Sequence, residues 1–300
     1  LVWGTNAGAT KVAIATIPPL LMSGICFIIA GSIFLCYSIV RSNDRKHITD
    51  FIEWKRSIII GTIMLLGGQG LRTVGEVQLS SGMTSLTFAI VPLWIIIIGS
   101  LFFNKKISKL AASMIIIGFL GVVIIAVFFA LEGSDSSSSN ININKLEVVG
   151  ILFLAGASFL WAAGSSYMNK STSSILKSGF TSQIGKQMLV GGILLSLSGI
   201  IFGELNSFDP VNVSFESFFG MFYMILVGSL VGYPVFVWLL KSTSQVLANS
   251  FTFISPFISL IIGITILDES IPSFVMVAAA IMILGSVATI MVLSIQREDR

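Results

Sequence analysis

Residues 90–107 read IVPLWIIIIGSLFFNKKI, and residues 254–271 read ISPFISLIIGITILDESI. A shift of 164 places Pro92 on Pro256, Gly99 on Gly263 and Ile107 on Ile271; with Ile90, Ile97 and Ile98 that gives six identities in eighteen positions. Just upstream, Ser85 falls on Asn249, a polar side chain within an apolar run in both places. Each stretch then ends on charge, but of opposite sign: Asn104-Lys105-Lys106 against Asp268-Glu269-Ser270. Lys and Arg collect in cytoplasmic loops. A basic end that recurs as an acidic one therefore fits a duplicate turned over in a membrane, a construction common among transporters.

The whole chain supports that setting. Of its 300 residues 55% are hydrophobic and only 10% charged, with a mean hydropathy of +0.98. Soluble domains carry roughly 25% charged residues, so a soluble globule, a disordered chain and a nucleic-acid binder are excluded. A crossing helix needs about 20 mostly apolar residues. Ten such spans are read at 1–17, 19–40, 57–79, 83–103, 110–131, 147–168, 179–202, 217–239, 246–266 and 273–294. The chain opens at Leu1-Val2-Trp3 without an initiator Met or a basic n-region, so the first helix is read as truncated at its N-terminus and no signal peptide is expected. The predicted fold is an all-α polytopic membrane protein with ten transmembrane helices in a 5+5 inverted repeat. Its units are 1–130 and 147–294, with a polar external linker at 131–146 and a cytoplasmic tail at 295–300.

Charge gives the orientation. Taking every second connection and the C-terminal tail as cytoplasmic collects Arg41, Arg45, Lys46, Lys55, Arg56, Lys105, Lys106, Lys109, Lys170, Lys177, Lys241, Arg297 and Arg300. The opposite loops hold one base, Lys145, and the acids Glu132, Asp135, Glu147, Glu204, Asp209, Glu216, Asp268 and Glu269. Both termini are then cytoplasmic. Cys26 and Cys36 share one apolar stretch and form neither a disulfide framework nor a metal site, and the lone His47 in a charged loop leaves little for imidazole catalysis.

Several motifs are similar to those of one family. Trp3-Gly4-Thr5-Asn6 followed by Lys11, then Ile17-Pro18-Pro19-Leu20 and Ala30-Gly31, resembles the opening of EamA-type permeases of the drug/metabolite transporter superfamily. Glu76-Val77-Gln78 with Ser81-Gly82 and Val91-Pro92-Leu93 resembles their third and fourth helices. Leu160-Trp161-Ala162 with Gly164-Ser165, and Ser255-Pro256 with Leu267-Asp268-Glu269, look like the start and end of their second unit. One departure stands at Phe102-Phe103-Asn104-Lys105-Lys106, where the family usually has a Gly-Glu turn. The resemblance implies a ten-helix inverted fold in a bacterial inner membrane, moving small organic solutes outward, in many members coupled to protons. It also implies a cavity bounded by helices one, three, four, six, eight and nine.

Candidate cavity residues on those helices are Trp3, Asn6, Gln69, Ser85, Trp161, Ser165, Tyr233, Asn249 and Thr252. Aromatic rings with a few hydrogen-bonding groups suit a small amphipathic solute, amino-acid-like or drug-like; lipid-facing or interfacial anchoring is the other reading of each Trp. Charges inside a span are expensive and need a partner or a wet cavity. Arg72 and Glu76, four apart on one helix face, form a structural ion pair, or Arg72 snorkels outward with Glu76 at the helix end, or the pair works, with Glu76 as a proton site or Arg72 holding a carboxylate. Lys11 either reaches Glu76 or snorkels outward, and Lys186 is read as snorkelling to the cytoplasmic headgroups. Pro92 and Pro256, both read as mid-helix, mark a hinge or an inherited kink. Gly4/Gly8, Gly199/Gly203 and Gly228/Gly232 read as close helix crossings.

A secondary transporter is the leading function. The chain lacks Gly-x-x-x-x-Gly-Lys-Ser/Thr, so ATP is not its direct driver. An intramembrane enzyme would need paired carboxylates, a His cluster or a nucleophile with its base at depth, and a passive channel a charged ring or filter repeat; neither pattern is present. No metal or other cofactor is called for. The implied partners are a small organic solute, the bilayer and protons; a homodimer is compatible with this reading, nucleic acid is not.

Overall fold

A computed structural model describes residues 2–40, 49–104, 106–132, 141–170, 179–270 and 272–298. The basic stretch 41–48, Lys105, half of the expected linker (133–140), Lys177 and the last two tail residues lie outside them. Among these residues ten long helices follow in order: α1 (Val2–Ala13), α2 (Pro19–Val40), α3 (Phe51–Gln78), α4 (Ser81–Phe88, continued by Val91–Phe103) and α5 (Lys109–Glu132). The second five are α6 (Ile141–Lys170), α7 (Phe180–Ile201), α8 (Phe215–Ser242), α9 (Gln245–Ile266) and α10 (Phe274–Glu298). Among the described residues α2 to α10 are each long and apolar enough to cross a bilayer. The protein is an all-α, multi-pass membrane protein. Its outward faces carry large apolar side chains such as Phe215, Phe219 and Ile281, which lipid covers.

Helix ends follow local chemistry. Asp50 accepts from the Ile52 amide at 2.8 Å and starts α3 six residues before the expected boundary, so Glu53, Lys55 and Arg56 lie on its first turns and not in a loop. Ser80, Ser214 and Ser244 cap α4, α8 and α9 in the same way. α6 begins at Ile141, inside the stretch read as linker. Gly203, at φ 81°, stops α7 in a left-handed conformation that glycine adopts without strain, so it is not a crossing partner for Gly199.

The prolines do not sit alike. α4 breaks at Ala89–Ile90 and Pro92 stands in the first turn of its second segment, where a missing N–H is tolerated. Pro256 lies inside α9, whose own break comes earlier, at Asn249–Ser250. Other positions related by the shift of 164 do agree. Asn104 and Asp268 are both left-handed, at φ 50° and 52°. α3 and α8 each contain a π-helical stretch, Gly61–Gly70 and Met224–Gly232.

α2 packs on α7, α5 on α10, α4 on α9, α3 on α6 and α1 on α8. α1 also packs on α9, α4 on α6, α3 on α7 and α2 on α8. Exchanging each helix with the one five places along leaves these pairs unchanged, although α5 on α6, packed as extensively as α2 on α8, has no counterpart of like extent between α10 and α1. The α2–α7 crossing is a backbone contact: a Cβ on Gly31 would stand 2.7 Å from the Leu189 amide nitrogen, and one on Gly192 would stand 2.7 Å from that of Ile28. Small residues allow such approach, and van der Waals contact then holds the helices where no hydrophobic drive exists.

Candidate functional site

Where α1, α3, α4, α6, α8 and α9 converge, a small central cavity remains, about 50 Å³ measured as space open to the centre of a water molecule. That is room for a few waters; an organic solute enters only if the helices part. Seven of the nine candidates line it: Trp3, Asn6, Gln69, Ser85, Trp161, Tyr233 and Thr252. Arg72 joins them. α2, not expected at the cavity, contributes Phe27.

The π-helical stretches explain part of this placement. An i→i+5 turn widens the helix and re-aims its side chains. Gln69 and Ser229 sit on these stretches of α3 and α8 and reach the cavity wall. Phe88, Met224, Phe251 and Ser255 also line it. Of the residues missed, Ser229 and Ser255 were accessible to the rule that singled out Ser85, a polar group inside an apolar helix. The phenylalanines have no such signal in a chain with 23 of them.

One end of the wall is aromatic. Trp3 meets Trp161 edge-on at 5.4 Å and Phe251 at 4.2 Å, and Phe236 tilts against both tryptophans at 5.3 Å. These T-shaped and tilted contacts are the favoured geometries for ring quadrupoles. The rings are placed by hydrogen bonds behind them. The Trp161 indole donates to Asn249 Oδ1 at 3.2 Å, and Asn249 in turn donates to the Gln245 carbonyl at 2.8 Å, at the break in α9. Asn249 therefore orients the wall without lining it. Ser165 is also behind the wall: it donates to the Ala162 carbonyl and accepts from Gln245, because its position on α6 turns it toward the start of α9.

The polar end is unevenly satisfied. Tyr233 donates to Gln187 Oε1 at 2.9 Å. Ser259 donates to the Gly4 carbonyl, leaving its oxygen to accept from Ser85 at 2.7 Å and tying α1, α4 and α9 together. By contrast, Asn6 Oδ1 and Arg72 Nε are buried without a hydrogen-bond partner, both from residues on the cavity wall. An unmade buried hydrogen bond costs about 1–3 kcal/mol, more for a charged group. Arg72 lies 5.5 Å from the centre of the Phe88 ring and 3.9 Å from Glu76, a charge contact without a hydrogen bond.

Glu76 itself is fully buried, and neither carboxylate oxygen meets a donor. It stands one turn beyond Arg72, outside the cavity wall. Lys11 does reach α3, but through the backbone: its ammonium donates to the carbonyls of Glu76, Val77 and Leu79 at 3.0, 3.3 and 2.7 Å. A cation on the last carbonyls of a helix is favoured by the helix dipole. Lys11 does not line the cavity. Opposite, Glu269 accepts from the Ser81 amide and hydroxyl at 2.7 and 2.9 Å, at the start of α4. The α3–α4 turn is thus held by a cation on one side and an anion on the other.

Lys186 corrects a further expectation. It is completely buried and paired with Glu53 at 2.8 Å, beside the Trp54 ring. Snorkelling is excluded because its acid partner lies inside the bundle, on a turn of α3 that the sequence reading placed in a loop.

Comparison with known proteins gives the family. The model of the EamA-like transporter family matches residues 1–127 and 148–291. The uncharacterized inner membrane transporter YedA of Escherichia coli K12 is 25% identical over 96% of this chain and 86% of its own length. The uncharacterized transporter YvbV of Bacillus subtilis is 23% identical over 97% and 88%. A solved crystal structure, 16% identical, superposes with a TM-score of 0.65 over 98% of this chain and 94% of that one. At that identity the likeness is one of fold.

Proposed function

The chain belongs to the EamA-like transporter family, and we propose that it is a secondary active exporter of a small amphipathic organic solute, working by alternating access around the central cavity. The observation that carries the reading is the pairing, on one cavity wall, of an aromatic cluster with the unpartnered Arg72 Nε and Asn6 Oδ1. A solute with an apolar body and an anionic or zwitterionic head would satisfy both ends: Arg72 takes the anionic group, Asn6 takes a donor, and the rings of Trp3, Trp161 and Phe251 take the body. Interactions left unmade until a ligand arrives favour the bound state without competing internal partners.

The mechanism rests on two five-helix units, 1–130 and 147–294, related by inversion. Support comes from the exchange-invariant helix pairs and the matched left-handed Asn104 and Asp268. The distribution of Lys and Arg supports cytoplasmic termini, and the membrane is a bacterial inner one. Opening outward requires the α3–α4 turn to leave Lys11 and Glu269; opening inward requires α7 and α3 to part at Lys186 and Glu53. Glu76 is the coupling acid. A buried carboxylate whose nearest cation stands at 3.9 Å is held weakly enough to exchange a proton as the bundle opens.

Purified protein in sealed vesicles tests this. Saturable uptake of a zwitterionic solute, competed by analogues and driven by an imposed gradient, is the expected result. Flux that rises linearly with concentration and is not competed would overturn it in favour of a passive pore.

A further inference from the structure

A second cavity, about 710 Å³ by the same measure, is a groove between α4, α9 and α10. It has the room for an organic solute that the central cavity lacks. Its walls are apolar, built by residues such as Leu86, Phe253, Leu260 and Leu284. Ile281 and Phe257, which line it, are 68% and 50% exposed, so it opens sideways onto the lipid-facing surface. It reaches Ser80 at the α3–α4 turn and Ser270 after α9, the ends that the proposed orientation puts outside.

Groove and central cavity stand back to back on the same two helices. On α4, Ser85 lines the cavity and Leu86 the groove; on α9, Thr252 and Ser255 line the cavity, and Phe253 and Pro256 the groove. The α4–α9 seam separates them, and it is polar. Ser85 bonds to Ser259 at 2.7 Å, and the Ser81 hydroxyl, held by Glu269, also stands 3.2 Å from the Ser259 carbonyl. Ser81 is one turn outward from Ser85, and Ser259 one turn outward from Ser255. A line of hydroxyls thus climbs from the cavity wall toward the external end, beside an apolar trough. Both helices are interrupted close to the seam: α4 breaks at Ala89–Ile90, and Pro256 has no N–H to give the Thr252 carbonyl.

An amphipathic solute that left straight into water would re-expose the apolar body that Trp3, Trp161 and Phe251 cover. Along the seam its head passes from hydroxyl to hydroxyl while its body stays in apolar surroundings. We propose that the groove is the exit: as the α3–α4 turn leaves Glu269, the seam parts from its external end and the solute slides sideways into the outer leaflet. The route rests on the exporter reading above, since it takes the same solute from the same cavity.

Photolabelling in sealed vesicles tests it, with p-benzoylphenylalanine as the probe. This free amino acid has a zwitterionic head and an aromatic ketone that, on irradiation, couples to nearby C–H groups, those of methionine above all. Met224 reports the cavity, and Met83 and Met276 the groove. Adducts at all three are expected. A Cβ on Gly82 would stand 3.6 Å from that of Leu260, a separation that a disulfide spans. Gly82→Cys/Leu260→Cys, in a chain whose Cys26 and Cys36 are replaced by Ala, therefore lets oxidation lock the seam. The locked protein is expected to keep the Met224 adduct and lose those at Met83 and Met276, and a reductant to restore them. Met224 labelled without Met83 or Met276 in the unlocked protein ends the lateral route and leaves the cavity reading standing; no adduct at Met224 ends both. Groove adducts that survive the lock also overturn the route, because the probe then enters from the bilayer. If the cysteine pair fails to fold or to close, Gly285→Trp decides. A Cβ there meets no described atom within 4 Å, so the groove has room for the ring. Filling it is expected to remove most of the gradient-driven flux of the probe, and flux at the wild-type rate overturns the proposal.

Discussion

Glu76 and Lys186 are both ionisable, both buried at membrane depth, and opposite in how they are satisfied. Lys186 has Glu53 at 2.8 Å, whereas Glu76 has Arg72 only at 3.9 Å and no donor on either oxygen. Breaking a well-made buried pair strands the survivor at a cost of about 3–5 kcal/mol, while replacing both members with apolar groups is often close to neutral. Lys186→Met should therefore lower the thermal stability of the purified protein sharply, and the double variant Lys186→Met/Glu53→Leu should recover most of it. A single variant as stable as wild type would show that the pair contributes nothing. Glu76→Gln removes a charge that the fold satisfies poorly, so folding should survive. The expected change is in coupling: solute exchange continues, but a pH gradient no longer drives accumulation, and the dependence of transport on pH flattens. An unaltered pH profile in Glu76→Gln removes the acid from the mechanism. The Lys186 partnership was not legible in the sequence because Glu53 lies 133 positions away, in a stretch whose charges read as loop. The Arg72–Glu76 contact was legible, since helical periodicity alone brings i and i+4 together.

At the scale of the helices, the spans were readable because a bilayer imposes length and hydropathy on each crossing and demands that the backbone satisfy itself. The breaks within them were not. Pro92 read as mid-helix, yet α4 restarts at Val91 and gives it a first-turn position; α9 breaks at Asn249–Ser250, well before Pro256. Neither the π-helical stretches nor the α2–α7 contact had a usable signature. The glycines that make that contact are seven apart, Gly24 with Gly31 and Gly185 with Gly192, a spacing that four-residue patterns overlook. Its consequence is testable. At Gly31 a methyl group would press on the backbone of α7 at 2.7 and 2.9 Å, with no flexible side-chain end to yield. Gly31→Ala should cost about 1–3 kcal/mol through overpacking. Gly285→Ala meets nothing and should stabilise by up to about 1 kcal/mol through helix propensity. Melting temperatures of the two variants in one detergent check the contrast; equal shifts of the same sign would mean that the α2–α7 crossing is not held as tightly as its backbone distances indicate.

For the whole molecule, the central cavity is too small for an organic solute, and charge contacts stand at the two places that the proposed cycle has to open: Lys11 and Glu269 on the α3–α4 turn, Lys186 and Glu53 between α7 and α3. Alternating access requires that these two sets of contacts open in turn and never together, so the accessibility of one cavity residue should switch sides with the driving gradient. Ser229 suits the measurement, since it lines the cavity from the π-helical stretch of α8 and is buried. In a chain whose Cys26 and Cys36 are replaced by Ala, Ser229→Cys in sealed vesicles should react with a membrane-impermeant thiol reagent added outside under one direction of the proton gradient. Under the reverse gradient the label should enter only from the lumen, and bound solute should slow both reactions. Glu76→Gln in the same background should uncouple labelling from the gradient while leaving protection by solute intact, because the acid stands outside the cavity wall. Labelling from both sides at once would mean a continuous pathway, and labelling from one side under every condition would mean a fixed vestibule. Either result removes the inversion of two halves as the engine of transport, even with the ten-helix fold unchanged.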